Sequence, residues 1–275
     1  MKARIRTLVR SLPAWLALPL LRGVSALEWQ LREGRRARAL QHMGRLLGGT
    51  AREAEVPELA RRSVLHRRGL EYLLWNPRFC VSAPIDGGEI LRAAQAGGTG
   101  VLVAHSHLCW IAPQVYALSA QGYVDAIVMA RDDPPTELQR LYQRVFDDWH
   151  VEVIDAARSF ERILTRLREG RVVQIAVDVP GSTPCLFLDK PASLVGGVAA
   201  LARSSGAPIV LVTPRWTGWR LRVAVGRPIH ADAYGDAPAL TRHLADLVSR
   251  DVLAAPELYH DHDWLDWMWT GPSAD

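Results

Sequence analysis

The chain has 275 residues, room for one large α/β domain or two small ones, and no Gly/Pro/Ser-rich linker divides it. Apolar residues make up 49% and charged residues 23%, a packed protein's balance that excludes disorder, collagen-like repeats and a multi-span membrane protein. The net charge of +4 hides an uneven distribution: residues 1–78 hold 16 Lys+Arg against 6 Asp+Glu, and residues 79–275 hold 17 against 23.

The basic third opens with Lys2, Arg4, Arg6 and Arg10 among Ile5, Leu8 and Val9. The apolar stretch 11–21 that follows contains Pro13 and Pro19, and it is too short to span a bilayer, which takes about 20 apolar residues. An interfacial helix pair fits better, with arginines toward anionic head groups and Leu12, Trp15, Leu16, Leu20 and Leu21 toward acyl chains. A soluble helical hairpin packed on the body is the alternative. From residue 27 to 75 the pattern stays helical, and Pro57 opens a helix whose apolar positions Leu59, Val64, Leu65, Leu70, Leu73 and Leu74 recur at helical spacing.

After Pro84 short β-branched runs alternate with helical ones. The runs are 100–104, 126–129, 151–154, 172–177, 186–188, 209–213 and 221–225; helices are expected over 86–96, 110–120, 135–149, 156–168 and 194–205. The fold class is therefore α/β, a largely parallel central sheet flanked by helices, with an N-terminal helical membrane-docking preface. One domain is expected: preface 1–78, α/β core 84–255 and Trp-rich close 256–275. In parallel sheets the chemistry gathers outside the carboxyl ends of the strands, here 104–110, 132–135, 178–181 and 214–216.

The first strand end carries His105 and His107, where a base with a pKa near working pH could take a proton from an attacking hydroxyl or amine. Cys109 invites a Cys–His nucleophile, but a free cysteine is more often a buried apolar filler. The three cysteines, Cys80, Cys109 and Cys185, match no disulfide or zinc framework and suit a reducing compartment. His105 and His107, with His260 and His262 near the end, could ligate zinc for a hydrolase; no third ligand stands at a characteristic spacing, so no metal is expected. Usage of 31 Arg against two Lys reflects coding bias. With basic residues interleaved with apolar ones and no recognised motif, nucleic acid is not an expected partner.

A glycine, a strand, a His seven residues on and then a helix resemble the opening motif of the bacterial lipid A biosynthesis acyltransferase family, which includes the late lipid A acyltransferases and the phosphatidylinositol mannoside acyltransferases. Asp178-Val-Pro-Gly181, Phe187-Leu-Asp-Lys190-Pro-Ala, Gly196-Gly-Val-Ala-Ala-Leu-Ala-Arg203 with the following Gly-Ala-Pro, and Trp264-Leu-Asp-Trp-Met-Trp269 resemble later family segments in order. The resemblance implies a glycerolipid-acyltransferase-like fold. It implies transfer of a fatty acyl group from a coenzyme A or acyl carrier protein thioester, with no other cofactor, to a glycolipid or lipid-like acceptor, by a monomer peripheral to the cytoplasmic face of the cell membrane.

The family pattern places Asp or Glu five residues after the His. From His107 that position is Ala112, and from His105 it is Trp110. Three replacements are open: Asp178, or Asp132 or Asp133, could reach the imidazole; an amine acceptor would need a weaker base; or the domain binds acyl chains without transferring them. His107, in the better register from Gly100, is the expected base, with His105 and Asp178 as further catalytic candidates. The resemblance also assigns phosphate binding to Lys190, with Arg131 and Arg144 as additional candidates. The Gly196–Gly197 pair would allow an acyl chain close to the backbone.

Overall fold

The computed structural model describes residues 11–109, 112–217, 220–259 and 264–270. Three helices form the preface: α1 (Ala14–Leu31), α2 (Glu33–Leu47) and α3 (Val56–Leu74). Pro57 stands in the first turn of α3, where a missing N–H costs nothing, and its six expected apolar positions are all buried. Pro19 does not interrupt the preface as its sequence suggests, because α1 runs through it. Among the described residues no helix is long and apolar enough to cross a membrane.

The body is a seven-stranded sheet built from β1 (Ile85–Asp86), β2 (Val101–His105), β3 (Ala126–Met129), β4 (Glu152–Asp155), β5 (Val172–Ala176), β8 (Ile209–Thr217) and β9 (Arg220–Ile229), in the order β1-β9-β8-β2-β5-β3-β4. The neighbours β8-β2-β5-β3-β4 run parallel, while β9 is antiparallel to β8. Buried on both faces, β2 is apolar at every position until His105. Helices α4 (Gly88–Ala96), α5 (Ala112–Ala120), α6 (Glu137–Asp148), α7 (Phe160–Arg168) and α8 (Gly197–Ser205) join the strands, and α9 (Ala237–Ala254) and α10 (Trp264–Thr270) follow the last of them. One apolar core runs from Ala17 and Met43 of the preface through the strands to Met268 of α10.

Two strand expectations change. The run at 186–188 belongs to a separate antiparallel hairpin, β6 (Pro180–Phe187) with β7 (Lys190–Leu194), and β8 extends through Thr217 into β9, so 214–216 is not a sheet end.

Gly100 shows why the first strand needs a glycine before it. Its φ is +67°, and a Cβ there would lie 2.6 Å from the Leu167 carbonyl oxygen and 2.7 Å from that of Arg171. Only a residue without a side chain fits both the backbone and the space, and this fixes where β2 begins and where it delivers His105.

Candidate active site

Strands β2 and β5 are neighbours in parallel register, His105 opposite Ala176. Two residues further along each chain stand His107 and Asp178, both past the carboxyl ends of their strands. Their side chains meet: His107 Nδ1 lies 2.7 Å from Asp178 Oδ1, and the His107 backbone N–H donates to Asp178 Oδ2 at 2.8 Å. Of Asp178, Asp132 and Asp133, Asp178 is the one this fold brings to the imidazole. Asp132 and Asp133 are exposed in the loop after β3, and Ala112 is buried at the start of α5.

A third donor completes the carboxylate's surroundings, and sequence reasoning missed it. The Tyr259 hydroxyl donates to Asp178 Oδ2 at 3.0 Å. Tyr259 is held beside the loop by a β-bridge to Leu108 and by the Cys109 N–H donating to the Leu258 carbonyl at 3.0 Å. On its other side, His42 Nε2 donates to the Tyr259 carbonyl at 2.8 Å, linking helix α2 to the same segment.

Asp178 is fully buried. Burial alone would raise its carboxyl pKa, but the His107 charge and the side-chain and backbone hydrogen bonds from His107, with a smaller contribution from His105, outweigh it, and the net direction is down. A carboxylate only accepts, so His107 carries its proton on Nδ1 and Nε2 is the ring's basic nitrogen. Tyr259 moves the other way, its hydroxyl held protonated by burial and by the charge and hydrogen bond of Asp178.

His105 is buried 2% exposed, with its ring 6.4 Å from that of His107. Its Nδ1 lies 3.2 Å from the Ser106 carbonyl, which can only accept, so this imidazole too is protonated on Nδ1. Burial and the neighbouring His107 push its pKa down to about 4. The unfolded chain, with His near 6.5, therefore binds a proton between pH 6.5 and 4 that the folded chain refuses, and stability falls as pH drops through this window. His66, also lowered to about 4, first by burial and then by Arg62 and Arg22, acts in the same direction. From His105 alone, urea unfolding at pH 5 is expected to give a free energy about 2 kcal/mol below that at pH 7, and His105→Gln should reduce that loss. An identical loss in the variant would remove His105 as its source.

His105 and His107 open on a cavity of about 790 Å³, walled largely by apolar side chains including Val115, Met129, Phe146, Ile163 and Leu201. That is within the range of pockets that enclose a small molecule. Gly197 lines it together with Val195; Gly196 does not. A Cβ on Gly196 would stand 3.0 Å from Thr183 Oγ1, so Gly196 admits the β6–β7 hairpin rather than an acyl chain.

The three cations expected to bind phosphate do not gather here. Lys190 donates to the Arg45 carbonyl and sits 4.6 Å from the Trp269 ring centre, at the turn of the β6–β7 hairpin and outside the cavity wall. Arg131 is exposed and bonds to Gln143 Oε1 at 3.0 Å, and Arg144 is exposed on α6. Cys109 is fully buried, and burial, with Glu257 adding to it, raises its thiol far above the ordinary value, a setting opposite to that of a nucleophilic cysteine. His260 and His262, invoked for zinc, lie outside the described residues. Among the described residues no group of three or more His, Cys, Asp or Glu is placed to hold a metal ion.

No curated protein matches the chain. A solved structure, the 1-acyl-sn-glycerophosphate (LPA) acyltransferase PlsC from Thermotoga maritima, is 15% identical, with a TM-score of 0.44 over 90% of this chain and 98% of that one. The profile of the bacterial lipid A biosynthesis acyltransferases matches residues 5–269. That match takes in the preface, the sheet and the Trp-rich close together, and by its extent the chain belongs to the bacterial lipid A biosynthesis acyltransferase family.

Proposed function

We propose that the protein transfers a fatty acyl group from a thioester of coenzyme A or acyl carrier protein to a hydroxyl or amine of a glycolipid or lipid-like acceptor. What carries the reading is the Asp178–His107 pair, whose His107 lines a large apolar cavity. His107 Nε2 takes the proton of the acceptor O–H or N–H as that atom attacks the thioester carbonyl carbon. The new C–O or C–N bond forms, the C–S bond breaks, and the leaving thiolate takes the proton back from His107. Asp178 stays ionised and stabilises the imidazolium while it exists. The acyl chain lies in the cavity, where each buried methylene contributes about 0.8 kcal/mol.

Incubation with a panel of acyl-coenzyme A and acyl carrier protein donors and lipid extracts, followed by mass spectrometry, tests this. A product whose mass equals acceptor plus fatty acid minus water is expected. Thioester binding with no product from any donor would replace the proposal with a non-catalytic acyl-binding role.

The same proposal includes a peripheral, monomeric protein docked on the anionic cytoplasmic face of the cell membrane. Support comes from α1, whose inner face packs on α3 through Ala17, Leu18, Leu21 and Ser25 while Leu16, Leu20, Val24, Leu27 and Leu31 form a continuous exposed apolar stripe. Trp15 beside it is 76% exposed. Leu21, expected to face lipid, instead faces the core, and Leu12 is half-buried. Between residues 13 and 31 the one exposed charged residue is Arg22, and the balance of +10 over residues 1–78 complements an anionic surface. Leu20→Glu with Leu27→Glu should weaken co-sedimentation with phosphatidylglycerol vesicles by more than about tenfold, with the melting temperature held. Unchanged sedimentation would contradict docking through α1.

A further inference from the structure

The seam between α2 and α3 holds a second, smaller cavity with a different chemistry. Helix α2 presents Arg35, Arg38 and His42 at i, i+3 and i+7, one face of the helix. Helix α3 presents Ser63 and Arg67 at i and i+4 toward them. These five side chains, with Ala39, Val64 and Tyr259, line a cleft of about 140 Å³.

A contact between two packed helices is ordinarily apolar; this one converges three guanidinium groups and a hydroxyl. Two of these side chains are held in place: Arg35 bonds to Glu28, a carboxylate it shares with Arg68, and the His42 ring is fixed by its bond to Tyr259. The cost of the clustering is visible at Arg67. That residue keeps solvent contact as a whole, yet desolvation of its guanidinium and the charge of Arg35 lower its pKa, with Glu71 opposing and Arg38 and Arg68 adding to the fall. Arg32, Arg35, Arg38, Arg67 and Arg68 face the carboxylates of Glu28 and Glu71 only, among the groups that act on Arg67 or pair with Glu28.

We infer that this cleft binds a phosphate group. A tetrahedral oxyanion offers acceptors in several directions, which suits guanidinium forks converging from two helices. The volume is several times the roughly 30 Å³ share of one water molecule, enough for a phosphate. The bound group is therefore the phosphate of a lipid headgroup or a soluble phosphate presented at the end of a larger molecule. The cleft is separate from the acyl cavity: Tyr259 forms part of its wall and offers its hydroxyl to Asp178 on the other side. The inference does not depend on acyl transfer taking place.

The test uses the full chain and binding alone. At matched ionic strength, 20 mM inorganic phosphate should raise the melting temperature of the wild type above that in chloride by about 3 °C. Arg38→Gln, an exposed substitution that leaves the core intact, and Arg67→Gln should each lose at least half of that rise. Two further arms identify the source. For a lipid headgroup, Arg38→Gln lowers affinity for phosphatidic acid vesicles about fivefold and leaves binding to phosphatidylcholine vesicles unchanged. For a soluble phosphate, coenzyme A shifts the wild-type melt more than dephospho-coenzyme A, and the variant abolishes the difference. No phosphate-specific rise in the wild type, or an equal rise in both variants, would overturn the inference.

Discussion

Replacing His107 with alanine is expected to lower turnover by about three to four orders of magnitude, whereas His105→Ala should leave activity within about tenfold of wild type. The contrast follows from what each ring touches. Both imidazoles carry their proton on Nδ1, but only His107 has a carboxylate there, so only His107 gains a compensating charge when Nε2 accepts a second proton. His105 has a backbone carbonyl as its partner and a pKa pushed down to about 4, so charging it during a reaction at neutral pH costs roughly 3 pKa units, or about 4 kcal/mol. Single-turnover assays with a saturating thioester donor would separate chemistry from binding. If His105→Ala proves the inactive variant and His107→Ala the active one, the base has been assigned to the wrong histidine.

How much of this was readable beforehand depends on distance along the chain. The alternation of apolar runs with helical stretches defined the α/β class, because strand and helix periods are local. The ends of those runs also marked His107 and Asp178 as residues where parallel sheets gather chemistry. Their contact was not readable as a fact. Strands β3 and β4 intervene in the chain and are placed on the outer side of β5, and nothing local says that β2 and β5 become neighbours. Tyr259 was less accessible still, since it meets Asp178 across 81 residues from a segment whose conspicuous feature is tryptophan. The β6–β7 hairpin escaped because Pro180, Pro184 and Pro191 speak against strands, and a two-stranded edge structure is where prolines are tolerated. The Arg35–Arg38–Arg67 cleft was hidden by abundance: among 31 arginines no three stand out until two helices bring them together.

The carboxylate itself gives the second large effect. Asp178→Asn is expected to keep the fold and lower turnover by about 10⁴, or about 5 kcal/mol of transition-state stabilisation. The orientation of the new amide is set by the groups around it. Two donors, the His107 backbone N–H and the Tyr259 hydroxyl, converge on the Oδ2 position, so the single amide oxygen must sit there and the NH₂ must face His107 Nδ1. An NH₂ group donates, which forces Nδ1 to accept and moves the ring proton to Nε2, and a ring protonated on Nε2 cannot take a proton from the acceptor. Asp178→Ala differs in a measurable way: it removes the acceptor of three buried donors, the His107 N–H and Nδ1–H and the Tyr259 hydroxyl, at about 1–3 kcal/mol each, and should lower the melting temperature as well as activity. The acid limb of stability separates charge from shape. Because the Asp178 carboxyl titrates below its ordinary value in the folded chain, its contribution is present above about pH 3.9 and is lost as pH falls through the folded pKa. Asp178→Asn has no such contribution to lose, so its stability should fall less steeply than the wild type's below pH 4. Wild-type turnover in Asp178→Asn would show that His107 does not depend on this carboxylate, and the proposed mechanism would fall with it.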